Sequence, residues 1–236
     1  MIAGLLPASV RAVESFGPLP GATLLPDEEP MVERAVARRR EEVTTVRACA
    51  RRALAELGLP PAPILAGPSR EPRWPPGVVG SLTHCAGYRA AAVARREDLA
   101  GLGIDAEPHA PLPDGVLDHV SLPEERAHLA ALPPGPRWDR LLFSAKESVY
   151  KAWFPLAGRW LGFEDARLEF FPGSGTFAAR LLVRDRPAVG GREVAGFAGA
   201  YAVAGGLLVT AIAVPYPAVP YPAVPYPAAP YPEEKP

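Results

Sequence analysis

Apolar and polar residues alternate along the chain with two different periods. Between Pro30 and Leu57 the spacing is helical: Val43, Val46, Ala50, Leu54 and Leu57 recur at intervals of three and four and line one face. Pro30 suits the first position of such a helix, and Gly58 and Pro60 end it. Short apolar runs predict strands over 78–83, 89–94 and 102–106. A second helical set is predicted from Ser121, where Ser121 and Glu124 fit a capping box. The strongest helical segment is 139–154, with Pro155 as its stop. Strands over 166–170 and 176–183 follow. Helix followed by strands thus occurs twice in a body of mixed α and β structure, which suggests two similar halves.

The stretch from Val194 to Val214 carries no charge and has two readings. It is about long enough to span a bilayer. It also reads as a buried hairpin turning at Gly205-Gly206, and a Gly-Gly pair is costly in mid-helix, so strands are the expected form. Beyond it the pattern changes again. VPYPA begins at Val214, Val219 and Val224, and APYPE at Ala229, so residues 215–236 form a proline-rich tail. Proline at every second or third position allows neither helix nor ladder, and polyproline II or disorder is expected there. The tail could serve as a ligand for an aromatic groove or be a solvated appendage. As an appendage it is dispensable: a chain ending at Tyr216 is expected to keep its activity, checked by comparing turnover with the full chain.

Composition narrows the functions available. The 236 residues are 48% hydrophobic and 22% charged, enough for one large domain or two small ones. With 25 basic and 26 acidic residues, net −1, the chain cannot bind nucleic acid by overall charge. Cys49 and Cys85 are its only cysteines, too few for a zinc site without histidines at ligand spacing. The opening MIAGLLPASVRAVESFG lacks a basic start, and Pro7 breaks its apolar run. No signal peptide is expected, and the cytoplasm is the expected compartment. Of the 25 basic residues only Lys146, Lys151 and Lys235 are lysines.

Two of those lysines fall in the helix 139–154, DRLLFSAKESVYKAWF, together with Glu147. Glu147 and Lys151 are one turn apart on one face. An exposed salt bridge is one reading. The rest of the helix is apolar nearly all round, however, and a chain that otherwise uses arginine keeps a compact ammonium here. A second acidic feature lies in GLGIDAEPH, where Asp105 and Glu107 stand two apart at a strand end and share a face. Alone it is a weak signal, since most such pairs are solvated surface charges. Three carboxylates with lysines together suit a Mg²⁺ ion and phosphate oxygens, and so phosphoryl chemistry on a pyrophosphate.

GVVGSLTHCAGYRAAAVA, GLGIDAEP and FSAKESVYKAWF, in this order and spacing, resemble the signature blocks of 4′-phosphopantetheinyl transferases. The likeness is to the surfactin-type group, in particular its enterobactin-synthase-component branch, and covers residues 1 to about 214. It implies transfer of the phosphopantetheine arm of coenzyme A to a serine of an apo carrier protein, with release of 3′,5′-ADP. It implies an α+β fold of two pseudo-twofold-related halves, here 1–110 and 111–214, with coenzyme A and Mg²⁺ between them. By motif, Asp105, Glu107 and Glu147 would hold the metal, and Glu147 would act as base for the incoming serine. Lys151 would offset charge on the pyrophosphate and leaving group. Thr83 and His84 match the pair that binds coenzyme A phosphates, and Arg47 and Arg70 match basic positions around the adenosine 3′-phosphate. Lys146 is adjacent in the motif but about 100° round the helix from Glu147, and is placed with the coenzyme A contacts.

The chain departs from the family pattern in two places. Thr44-Thr45-Val46 stands where an aromatic-and-glycine stretch is more usual, and Ala106 separates the two acids, so that a third acid or a water is expected to complete the metal shell. Two other readings are an inactive relative that only binds coenzyme A or a carrier, and a scaffold presenting the tail. None of the three acids is missing, which speaks against the first. Carrier choice has no motif, and one chain with two halves is expected to be a monomer without membrane or nucleic-acid partners.

Overall fold

The computed structural model describes residues 1–216; the repeats beyond Tyr216, and the polyproline reading of them, lie outside the described residues. The long first helix is present as α1 (Ala37–Glu56) but begins at Ala37 rather than Pro30. The preceding segment Pro26–Val32 winds instead as a 3-10 helix with Pro30 inside it. Glu28 is the cause: fully buried, its carboxylate accepts from the backbone N–H of Leu25 at 2.9 Å and of Ile64 at 2.8 Å, and pairs with Arg51 at 2.7 Å. Those bonds tie the segment across α1 rather than along it.

The strands are β1 (Arg11–Ser15), the short pair β2 (Leu65–Ala66) and β3 (Pro72–Arg73), then β4 (Val78–Cys85), β5 (Tyr88–Arg95) and β6 (Leu99–Pro108). Helices α2 (Val116–Val120), α3 (Pro123–Ala131) and α4 (Trp138–Ala157) follow. The chain then forms β7 (Ala166–Phe171), β8 (Thr176–Leu181), the short pair β9 (Ala188–Val189) and β10 (Arg192–Glu193), and finally β11 (Gly196–Ala204) and β12 (Leu207–Pro215). Cap and stop signals fall near, but not at, their predicted places. Glu125, not Glu124, caps α3, accepting from the N–H of Leu122 at 2.7 Å. Pro155 does not stop α4, because a proline in the last turn forgoes only one hydrogen bond. The helix runs to Gly158, whose φ of +64° permits a left-handed cap, with the Gly158 N–H bonded to the Phe154 carbonyl at 2.8 Å.

The uncharged C-terminal stretch is a hairpin. β11 and β12 pair antiparallel with Ala204 opposite Leu207, and Gly205 and Gly206 turn with φ of +58° and +76°, the two positive angles that a two-residue turn between twisted strands requires. Among the described residues no helix is long and apolar enough to cross a membrane.

Two sheets, ordered β1-β5-β4 and β6-β12-β11-β8-β7, pack face to face with a helix on each outer side. Period-two alternation divides each strand between two cores. On β5, Ala90, Ala92 and Ala94 enter the core between the sheets, whereas Ala91 and Val93 meet Ala50, Ala53 and Leu54 of α1. On β12, Leu207, Val209 and Ala211 face the first sheet while Leu208, Ile212 and Val214 face α4. β6 lies at the seam. One edge is laddered to β12; on the other side, β4 supplies hydroxyls in place of a ladder. Ser81 Oγ accepts from the Ile104 N–H and Thr83 Oγ1 from the Ala106 N–H, both at 3.0 Å. Buried backbone donors are satisfied this way without fusing the two sheets.

Candidate active site

The alternation that sends Leu102, Ile104 and Ala106 of β6 toward the first sheet turns residues 101, 103, 105 and 107 toward α4. At the first two of these positions glycine lets the helix backbone come very close: a Cβ on Gly103 would lie 2.0 Å from the Ser148 carbonyl oxygen. At the next two stand Asp105 and Glu107. The predicted meeting of the D-x-E pair with the Glu147–Lys151 face is therefore built by strand period on one side and helix period on the other.

Asp105 is nearly fully buried and is held from three directions. Lys151 Nζ lies 2.7 Å from Oδ1, and Thr83 Oγ1 donates to the same oxygen at 3.2 Å. Ser144 Oγ donates to Oδ2 at 2.8 Å. Lys151 also donates to the Ile104 carbonyl at 3.1 Å. Glu107 pairs with Arg140 at 2.9 Å. Burial first, and then the neighbouring Asp105 charge, push the Glu107 carboxyl above the ordinary range despite Arg140. Burial pushes Glu147 up as well; Lys151 pulls it back and Asp105 adds to the rise. Among the described residues Glu147 has no hydrogen-bond or ion-pair partner within bonding distance.

Glu147 and Lys151 open onto a cavity of about 750 Å³, whose lining also includes Arg47, Arg70, His84 and Tyr150. Arg47 is anchored by its Nε on the Ile64 carbonyl at 2.7 Å, and burial lowers its guanidinium to about 10. Arg70 sits in the turn after β2 with φ of +66°, its N–H bonded to the Gly67 carbonyl at 2.9 Å. His84 ends β4. Arg39 Nη1 lies 2.6 Å from its Nε2, and because arginine can only donate, Nε2 accepts and Nδ1 carries the proton, 3.7 Å from Glu42 Oε2. Burial, then Arg39, lower the His84 pKa, which favours the neutral ring.

Four expected site residues do not line this cavity: Asp105 is buried behind Lys151, Glu107 faces a separate hollow beside His84 and Cys85, and Lys146 and Thr83 are turned away from it. Lys146 turns into the core between α3 and β7. Its ammonium pairs with Glu125 at 2.8 Å and donates to the carbonyls of Phe163 at 2.6 Å and Ala166 at 3.1 Å, which uses all three of its hydrogens. Thr83 is buried too. Its hydroxyl donates to Asp105 and accepts from Ala106, so it serves the carboxylate rather than the cavity. The structure also reveals residues that pattern reading missed: Arg140 on Glu107, the Arg39–Glu42 pair around His84, and the hydroxyls of Ser144 and Thr210 beneath Asp105. Thr210 left a trace in the sequence as the one polar residue in LLVTAIAV.

Among the described residues no three histidine, cysteine or acidic side chains converge tightly enough to form a ready metal cage. The donor chemistry nevertheless fits a hard divalent cation. The three acids offer only oxygen, and Asp105 raises the pKa of both Glu107 and Glu147, a crowding of negative charge that a cation relieves. The charges now offsetting it belong to Lys151 and Arg140.

Comparison with known proteins identifies the family. Residues 27–94 match the 4′-phosphopantetheinyl transferase N-terminal domain and residues 101–202 the 4′-phosphopantetheinyl transferase superfamily. The chain is 57% identical to 4′-phosphopantetheinyl transferase Svp of Streptomyces mobaraensis, over 92% of this chain and 90% of that one. It is 51% identical to 4′-phosphopantetheinyl transferase PptT of Mycobacterium tuberculosis, over 91% and 98%. Enterobactin synthase component D of Salmonella typhimurium is 38% identical over about half of each chain, 49% and 48%. The two matched regions meet between β5 and β6, at the seam where β4 and β6 bring Thr83 to Asp105, and identity extends across nearly the whole described chain: it belongs to the 4′-phosphopantetheinyl transferase family.

Proposed function

We propose that Asp105, Glu107 and Glu147 hold a Mg²⁺ ion for the transfer of phosphopantetheine from coenzyme A to apo carrier proteins, and that 3′,5′-ADP is the product released. The observation that supports it is one cavity lined both by the basic side chains Arg47 and Arg70 with His84 and by Glu147 with Lys151. Bound there, the ion would supply positive charge against the pyrophosphate. Glu147, free of hydrogen-bond partners among the described residues and raised in pKa, is suited to accept the proton of the carrier's serine hydroxyl, directly or through a water. Lys151, already at the cavity wall, would leave Asp105 to offset charge on the departing 3′,5′-ADP. Arg47, Arg70 and His84 would take the phosphates of the nucleotide end. The N-terminal and C-terminal halves of one chain both line the cavity, which supports a monomer, and coenzyme A as substrate supports a cytoplasmic setting.

The test is to combine the chain with apo carrier protein, coenzyme A and Mg²⁺ and to weigh the carrier. A gain of one phosphopantetheine is expected, abolished by chelation of the metal. No gain on acyl, peptidyl or aryl carriers would overturn the reading. The nucleotide end has its own test. Removal of a charge-assisted bond costs roughly 1.5–3 kcal/mol, so Arg70→Ala is expected to raise the KM for coenzyme A about tenfold or more. With 3′-dephospho-coenzyme A the parent and the variant should nearly coincide; equal losses with both substrates would place Arg70 away from the 3′-phosphate.

A further inference from the structure

Beneath the site carboxylate runs a chain of hydroxyls with no place in the transfer chemistry. Ser144 and Ser148 of α4 and Thr210 of β12 are all fully buried. Ser148 Oγ lies 2.6 Å from Thr210 Oγ1, Thr210 Oγ1 lies 3.1 Å from Ser144 Oγ and 3.0 Å from the Ser144 carbonyl oxygen, and Ser144 Oγ lies 2.8 Å from Asp105 Oδ2. Each hydroxyl has one hydrogen, and an ionised carboxylate can only accept. The direction of the chain follows. Ser144 spends its hydrogen on Asp105, Thr210 spends its own on Ser144, whose carbonyl oxygen and hydroxyl both lie within reach, and Ser148 therefore donates to Thr210. Each hydroxyl thus leans on the next, and the last of them, Ser144, donates to Asp105.

A core otherwise made of Leu142, Val149, Leu208 and Ile212 does not need three hydroxyls, and burying them is costly unless each is bonded. We propose that Ser144, Thr210 and Ser148 are positioning residues that hold the Asp105 carboxylate in place for the divalent cation. The inference rests on the metal role of Asp105 proposed above. Of the groups on Asp105, Lys151 alone carries a charge, and its side chain is 26% exposed at the cavity wall. An incoming cation competes with that ammonium. Neutral hydroxyls on the buried side are not displaced, so the carboxylate keeps its orientation when Lys151 turns to substrate.

The test is binding of Mn²⁺ to the full chain in the presence of coenzyme A, read from the paramagnetic resonance signal of the free ion. Loss of a partner that orients a ligand typically weakens metal binding by 10–100-fold; for Ser144→Ala and for Thr210→Val we expect about tenfold, with the KM for coenzyme A at saturating metal unchanged. Thr210→Ser keeps the hydroxyl and should restore binding. Thr210→Val conserves volume, so it carries the test if Ser144→Ala fails to melt cooperatively. If Asp105→Asn weakens Mn²⁺ binding while Ser144→Ala and Thr210→Val bind like the parent, the positioning role alone is overturned. If Asp105→Asn itself has no effect, the metal role falls and the positioning role with it. Equal weakening by Thr210→Ser and Thr210→Val would assign the effect to packing and also overturn the proposal.

Discussion

Glu147→Gln is expected to lower kcat by at least about 10³-fold while leaving the chain as stable as the parent or more so. The two halves of that expectation come from one feature. Glu147 is largely buried at the cavity wall, accepts no hydrogen bond among the described residues, and has its pKa raised mainly by burial. Among the described residues no hydrogen bond or close ion pair depends on its charge, so an isosteric amide breaks no structural bond there. The negative charge is an unfavourable burden on the fold at neutral pH, and its removal relieves Asp105 as well. Turnover has the opposite dependence. A base and a metal ligand are lost together, and neither role passes to an amide. The measurement is carrier-modification rate beside a thermal melt of the same sample. Turnover within tenfold of the parent would remove Glu147 from the chemistry. A large drop in Tm would mean that the side chain has a structural partner after all.

How much of this could be read in advance depends on whether a residue acts through its own period or through a distant partner. The hairpin at Gly205-Gly206, the apolar helix around Glu147 and the shared face of Asp105 and Glu107 are local properties, and the structure forms all three. The true start of α1 was not local, because Glu28 is fixed by Arg51 and by the Ile64 N–H, far along the chain. β1 was missed for the same reason: RAVES is too mixed to announce a strand and exists by pairing with β5. Within the site, Lys151 reaches the cavity as its motif position suggests, whereas Lys146 is consumed by Glu125 on another helix. Motif adjacency cannot distinguish the two; the 100° turn between successive helical residues does.

The glycines of GLGIDAE also had a meaning that pattern reading passed over. Two glycines, two apart in β6 and on the face opposite Leu102 and Ile104, mark where another backbone comes close. Gly103→Ala is expected to lower Tm and to reduce kcat by about 10²-fold, more than the lost stability accounts for. The new Cβ would sit 2.0 Å from the Ser148 oxygen, 2.8 Å from the Ala152 nitrogen and 3.0 Å from the Ser148 carbon. All three are backbone atoms of α4, so no side-chain rotamer relieves the clash and the helix itself must withdraw. Overpacking of this kind costs about 1–3 kcal/mol. The catalytic loss is separate, because Ser144, Glu147 and Lys151 ride on the same helix and face Asp105 across this contact. A displacement of about 1 Å there is enough for a 10²-fold effect. Gly101→Ala is the graded control: its nearest backbone atom, the Ala152 oxygen, is 3.1 Å away, and a shift of a few tenths of an ångström suffices. The order of effects, Gly103 well above Gly101 in both Tm and kcat, is the signature of α4 seated on β6 by glycine. A Gly103→Ala variant with the parent's melt and turnover would show that this seating is not what aligns the site.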